Sequence, residues 1–318
     1  MRCFVTGGAG FIGSNLVDRL LAENHRVVAY DNFSTGQLSF LEQALKNPNF
    51  RLIRSNLHDF EVLKEVMQGS DFVFHLAANA DVRGGINQPR KDLEVNTIGT
   101  FNVLEAMRQN KVPCIAFSST GSIYGEPEVF PTPENAPFPV QTSLYGASKL
   151  AGEGLIEAFC EGFGIQSYIF RFVSILGERY THGHVFDFYK KLRANPNEIE
   201  VLGNGKQRKS YMYIQDCLDA ILTAIQHPQA QAQVNIFNLG TNEYCEVNNS
   251  LDWICARLGL NPVRHYTGGE RGWIGDSPFI FLDCSKIRAL GWQPKLTIRE
   301  SVEYTLDYLV AAQTLLEK

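Results

Sequence analysis

The chain has 318 residues, 44% of them hydrophobic and 20% charged, with a formal net charge of -5. That length buries a full core, and the acidic balance gives no general electrostatic reason to bind nucleic acid or an anionic membrane. Seven cysteines (3, 114, 160, 217, 245, 255 and 284) form no CxxC pair and are odd in number, so buried free thiols in a reducing compartment are expected. Arg2-Cys3-Phe4-Val5-Thr6 runs directly into glycines, which leaves no signal-peptide pattern, and no run approaches the roughly 20 apolar residues that span a bilayer. The expectation is a cytoplasmic protein with neither nucleic acid nor membrane as partner.

In chain order, Cys3 to Thr6 reads as a short buried strand. Gly7-Gly8-Ala9-Gly10-Phe11-Ile12-Gly13 follows at once and opens the amphipathic run Asn15 to Ala22. Strand, glycine turn and helix in that order let backbone N–H groups and a helix N-terminus approach a pyrophosphate. The next strand, Arg26 to Tyr30, ends in Asp31-Asn32. An acid about 20 residues beyond the glycines holds a ribose hydroxyl and repels a 2′-phosphate, so NAD is expected rather than NADP. The alternation continues with strands Phe50 to Ile53, Asp71 to Leu76 and Cys114 to Ser118, and helices Leu63 to Met67 and Ile98 to Arg108. Such alternation predicts an α/β fold built on a doubly wound parallel sheet, with ligands beyond the carboxyl ends of its strands. His75-Leu76-Ala77-Ala78-Asn79 and Phe117-Ser118-Ser119-Thr120 are two such ends.

From Glu126 to Gln141 there are five prolines, at 127, 131, 133, 137 and 139, and a loop is expected. Helix resumes near Ser143 and runs to about Phe163. It carries Tyr145 and Lys149, four residues apart and so on one helical face. A cation beside a phenol favours the phenolate, which would let Tyr145 act as a general base. Alone, the pair also fits a surface tyrosine beside a solvated lysine; the glycine turn, Asp31 and the Ser-Ser-Thr run favour chemistry. Tyr168 to Leu176 reads as one further β-rich run. Beyond Gly177 short strands mix with the runs Val185 to Leu192, Ile214 to Ala224 and Asn248 to Leu258. The division expected is residues 1–177 as the dinucleotide-binding domain, completed by some later segments, and 178–318 as mainly a smaller substrate-binding region.

Together, Thr6 to Gly13, Asp31-Asn32, His75 to Ala78, Asn96-Thr97-Ile98-Gly99-Thr100, Ser118 to Thr120 with Tyr124-Gly125, Tyr145 with Lys149, and Leu290-Gly291-Trp292 resemble the extended short-chain dehydrogenase/reductase family. Within that family the resemblance is to the nucleotide-sugar epimerases and dehydratases. It implies a Rossmann-type fold and a catalytic set of Thr120, Tyr145 and Lys149, with Ser118 or Ser119 as the lesser candidate for the proton-handling hydroxyl. It implies NAD held by Gly7, Gly10, Phe11, Ile12, Gly13, Asp31, Asn32, Asn56, Leu57, Leu76, Ala77, Ala78, Asn96 and Ser118, besides Tyr145 and Lys149. Asn56 stands where the family usually has Asp near adenine.

Family members that eliminate water from the sugar carry an Asp-Glu pair after the threonine, and decarboxylating relatives a Glu at the second position. Gly121-Ser122 offers no carboxyl there, so the resemblance implies a 4-epimerase with a UDP-hexose as substrate. Substrate contacts are implied for Thr120, Ser174, Arg208, Lys209, Arg271 and Asp276. Ser174 replaces a common Asn, Gly85 a common Ser, and Lys209-Ser210 an Arg before an acid, so a bidentate phosphate contact falls to Arg208 or is lost. Tyr180-Thr181-His182-Gly183-His184 brings two histidines close, but no third or fourth ligand has recognisable spacing and no metal is expected. Trp273 and Trp292 read first as packing residues. A homodimer through the helix after Asn96 and the Tyr145 helix is implied. The alternatives are a dehydrogenase or ketoreductase of the same fold, and an NAD-sensing binding protein without turnover.

Overall fold

In the first strand, β1 (Arg2–Thr6), Cys3 and Val5 pack to one side and Phe4 to the other, so no face is left for water. A strand buried on both faces requires a partner on each edge and helices above and below. The computed structural model describes residues 1–138, 140–227 and 229–312. Of the predicted proline-rich loop, Pro139 lies outside them.

Helix α1 (Phe11–Ala22) returns the chain to β2 (Arg26–Asp31) and β3 (Phe50–Arg54); α2 (Phe60–Met67) then leads back to β4 (Phe72–His75). Next come the short helix α3 (Pro89–Asp92), a six-residue π-helical turn (Leu93–Ile98) and α4 (Gly99–Asn110). The helix thus begins about nine residues before the expected Ile98, because Pro89 occupies a first-turn position where its missing N–H costs nothing. Strand β5 (Cys114–Thr120), α5 (Leu144–Phe163) and β6 (Gln166–Phe172) follow.

The run expected over Tyr168 to Leu176 is two strands. After β6, β7 (Ser174–Leu176) leaves the main sheet. Beyond it lie α6 (His184–Ala194), β8 (Glu198–Val201), β9 (Arg208–Lys209), β10 (Tyr211–Tyr213), α7 (Ile214–Gln226) and β11 (Val234–Leu239). The chain then forms β12 (Cys245–Glu246), α8 (Val247–Leu258), β13 (Val263–Tyr266), β14 (Phe279–Ile280), α9 (Ser285–Arg288) and α10 (Ile298–Ala311).

The main sheet is wholly parallel, in the order β11-β6-β5-β4-β1-β2-β3. Its seventh strand comes from Val234–Leu239, well past Gly177. The alternating pleat sends Val5, Ala29 and Phe74 to the face that packs Leu16, Val17 and Leu20 of α1; Phe4, Val28 and Val73 meet Leu63 of α2, Val103 of α4 and Ile156 of α5. The strand order reverses between β1 and β4, whose last residues, Thr6 and His75, lie side by side. In a doubly wound sheet that reversal opens the ligand crevice. The smaller sheets β7 with β10, β12-β9-β14 and β8 with β13 form the second region.

Candidate active site

The glycine turn is shaped by contacts that exclude side chains. Gly7 has φ +69°, and a Cβ on Gly13 would lie 2.0 Å from the Gly7 carbonyl oxygen. Gly10 caps α1 without any side-chain hydrogen bond, so the first-turn N–H groups remain available for an anion. Phe11 is buried, and Ile12 packs against the core. Asp31 accepts hydrogen bonds from Ala9 N (2.9 Å) and Phe33 N (2.7 Å), which ties the acid to the turn. Burial pushes the Asp31 carboxyl up, opposed by those two donors. Asn32 is exposed and accepts from Ser34 N; the Asn56 side-chain oxygen accepts from His58 N, and Leu57 is buried beside it. Leu76, Ala77 and Ala78 leave β4 half-buried, with the Leu76 and Ala77 N–H groups donating to Thr6 Oγ1.

Thr120 ends β5, and Tyr145 and Lys149 rise from the first turns of α5, whose N-cap Ser143 accepts from Gly146 N at 3.0 Å. Thr120 Oγ1 accepts from Ser122 N (3.1 Å) and donates to Ser122 Oγ (3.2 Å). Lys149 is buried. Its Nζ donates to the Ser118 carbonyl at 2.7 Å and stands 4.6 Å from the Phe117 ring centroid. Burial pushes the ammonium down to about 7, with Glu153 opposing. Burial likewise pushes the Tyr145 phenol up to about 12, with the nearby Thr120 hydroxyl opposing and Asp92 adding to the rise. The helical spacing anticipates a lowered phenol. Here desolvation dominates, because the lysine's hydrogen bond goes to a strand carbonyl.

The second region separates two residues that the sequence lists side by side. Successive strand residues face opposite ways, so Arg208 is exposed, its guanidinium 3.9 Å from the Phe279 ring centroid, whereas Lys209 turns inward. Lys209 Nζ donates to Asp276 Oδ1 at 2.6 Å and lies 5.9 Å from the Trp273 ring. Arg83, from the loop after β4, lies over the same ring and pairs with Asp187 of α6 at 3.0 Å. Arg271 donates to the Asp276 carbonyl and pairs with Glu126. Lys209, Asp276 and Arg271 are therefore gathered; Arg208 points elsewhere, and Ser174 sits exposed at the start of β7. The two histidines diverge. His184 bonds Ser250 Oγ at 2.7 Å and stacks on Tyr211, while His182 stacks on Tyr180.

Asp92, Ser148 and Glu153, to which sequence reasoning assigned no role, support the site together with His75, Asn96 and Ser119, which it named. His75 links Thr6 Oγ1 (2.7 Å) to Thr100 Oγ1 (2.9 Å), and burial with nearby Lys149 pushes it down to about 3, so it is a neutral strut. Asn96 donates to Ser148 Oγ (3.0 Å), and Ser148 donates to the Tyr145 carbonyl (2.8 Å). Asp92 stands four residues before Asn96, and that helical spacing was the signal available for it. Ser119 bonds Glu153, which pairs with Arg171 at 2.7 Å in the interior.

The model of the NAD dependent epimerase/dehydratase family matches residues 3–240. The chain belongs to that family. A crystal structure of a UDP-galactose 4-epimerase is 36% identical, with a TM-score of 0.88, covering 98% of this chain and 99% of its own. The UDP-glucose 4-epimerase of Thermotoga maritima, crystallised with UDP-glucose, is 31% identical at TM-score 0.87 and covers 98% of this chain and 100% of its own. The UDP-glucose 4-epimerase of Mycolicibacterium smegmatis is 30% identical over 314 residues, covering 97% and 98% respectively. The cofactor named by the family fits this chain's own turn: the Gly7–Gly13 approach leaves a side-chain-free cradle at an uncapped helix N-terminus, and Asp31 stands beside it.

Proposed function

We propose that this epimerase/dehydratase chain is a UDP-hexose 4-epimerase whose NAD stays in place through the cycle. The carrying observation is the combination at the end of β5. Thr120 ends β5 facing the Tyr145 helix, Lys149 is buried one helical turn beyond Tyr145, and the group bonded to Thr120 from the following turn is the Ser122 hydroxyl, not a carboxyl. Bound NAD supplies the acceptor and then the donor of the C4 hydride. Tyr145 Oη takes the C4 hydroxyl proton as that hydride leaves. It returns the proton once the keto sugar has turned its other face, so proton and hydride both balance over the cycle. Thr120 Oγ1 would hold the reacting oxygen, and Lys149, buried one helical turn beyond Tyr145, would hold the nicotinamide ribose. Lys209, Arg271 and Asp276 are the groups we assign to the nucleotide diphosphate end, with Lys209 replacing a bidentate arginine by a point charge. We assign residues 1–177 with β11 to cofactor binding and most of 178–318 to the nucleotide sugar. Exposed Leu93, Ile98 and Phe101 before and on α4, with Phe163 on α5, support a homodimer through those helices.

The test is interconversion of UDP-glucose and UDP-galactose by the NAD-loaded protein, without net NADH release, within a panel of UDP-, GDP-, CDP- and dTDP-sugars. Tyr145→Phe retains NAD and loses turnover by roughly a thousandfold. Stoichiometric NADH release, or turnover surviving in Tyr145→Phe, refutes the assignment.

A further inference from the structure

Trp273 carries a donor that nothing in the folded chain receives. Its indole Nε1 is buried and has no hydrogen-bond partner among the described residues. A buried polar group left unpaired is costly, and each one in a native protein calls for a reason. Packing accounts for the half-buried ring and leaves the N–H unexplained.

The ring stands where the second region meets the crevice. The Trp273 carbonyl accepts from Asp276 N at 3.1 Å, which closes a tight turn. Gly275, within that turn, abuts the start of α5: a Cβ on it would lie 2.9 Å from the Thr142 carbonyl oxygen and 3.5 Å from Ser143 Cβ. Tyr145 follows Ser143 by two residues. Arg83 approaches from the loop that leaves β4 at the reversal of strand order. Its guanidinium lies 5.7 Å from the ring centroid, and Lys209 Nζ lies 5.9 Å from it. Gly85, two residues beyond Arg83, would with a Cβ meet Leu144 Cβ at 3.7 Å, so this loop also reaches the start of α5.

Cations over an indole occupy its negative face, which leaves the N–H at the positive edge for an acceptor. The nearby carboxylates are already engaged: Asp187 pairs with Arg83, Asp276 with Lys209 and Glu126 with Arg271. None of them accepts from the indole. The acceptor has to arrive with a ligand, and a ligand drawn to three cations is an anion. Resting on the epimerase reading for the identity of that anion, we propose that Trp273 is a substrate-binding residue whose Nε1 donates to a phosphoryl oxygen of the nucleoside diphosphate. A diphosphate entering here competes with the carboxylates for Lys209 and Arg83 and brings the indole its missing partner. Lys209 by itself offers a point charge without direction. An N–H fixed in the plane of a packed ring supplies the direction that a bidentate arginine would otherwise give.

The test is calorimetric binding of UDP and of uridine to the NAD-loaded protein, with wild type beside Trp273→Phe, which keeps a ring and removes the donor. UDP affinity should fall about tenfold or more, as for one lost hydrogen bond to a charged acceptor, while uridine, which has no phosphate, should bind both proteins within about twofold. The ligand-free thermal midpoint should stay near that of wild type, because the N–H removed had no partner to lose. If Trp273→Phe packs poorly, Trp273→benzothienylalanine keeps the two-ring shape with sulfur in place of the N–H, and the same loss for UDP alone is expected. UDP bound equally by wild type and variants overturns the proposal. An equal loss for uridine overturns it too, since a merely structural role weakens the whole pocket. Unchanged UDP affinity leaves the epimerase reading standing, whereas a wild-type protein that binds no UDP refutes that reading and this inference with it.

Discussion

Replacing Lys149 by methionine should make the cofactor-free protein more stable near neutral pH while abolishing its chemistry. The ammonium is buried and is pushed from 10.5 down to about 7, with desolvation the leading cause. A depression of that size corresponds to about 5 kcal/mol of cost for keeping the charge inside the folded protein. Methionine has similar bulk and no charge, but it leaves the Ser118 carbonyl without the 2.7 Å donor, a loss of roughly 1–3 kcal/mol. The net gain is about 2–4 kcal/mol below pH 7. The sign follows from proton counts. Between about pH 7 and 10.5 the unfolded lysine binds a proton that the folded one has lost, so wild-type stability rises with pH across that window. The penalty is full below it and gone above it. Lys149→Met should therefore lead most at about pH 6, lose its lead through pH 8 and 9, and fall behind wild type by about pH 10.5. Urea unfolding of both proteins without cofactor, at several pH values over that span, measures the difference directly. A difference that does not change with pH refutes the reasoning, because a purely steric or packing effect has no such slope.

Gly13→Ala places a methyl group 2.0 Å from the Gly7 carbonyl oxygen, and the backbone on both sides must shift. NAD affinity should fall at least about a hundredfold by calorimetry, and native affinity would mean that the turn is not the cofactor cradle. Lys209→Met removes the inward cation that pairs with Asp276. KM for the nucleotide sugar should rise about tenfold or more with NAD binding unchanged, whereas Arg208→Met, on the outward face, should leave KM within about twofold. Ile98→Glu with Phe101→Glu puts two charges on the exposed apolar face of the π turn and α4. Sedimentation should report a dimer for the native protein, as proposed, and a monomer for this variant; a dimer unaltered by the two charges would place the interface elsewhere.

Wherever the chemistry depends on neighbours along the chain, the residues announced it. The glycine turn, Asp31 and the Tyr145–Lys149 spacing each lie within one strand-turn-helix unit or on one helix face, so local geometry fixes their relation. The identity of the residues after Thr120 was equally readable, and Ser122 does contact the threonine hydroxyl. Charge state was less accessible. Whether Lys149 lowers the phenol depends on where its Nζ points and on how much water the site excludes, and both are properties of packing.

The order of residues along the chain determined the parallel α/β class, the glycine turn and the acid that stands beside it, because periodicity and short-range spacing survive in the sequence itself. Only the tertiary structure decided that Val234–Leu239 closes the first sheet, that Ser174 leaves it, and that Lys209 rather than Arg208 faces inward. It alone seated Asp92 in the gap left by Gly85. Each of these turns on a contact between residues distant in sequence or on which face of a short strand is covered. A two-residue strand such as β9 carries no periodicity from which that face could be read.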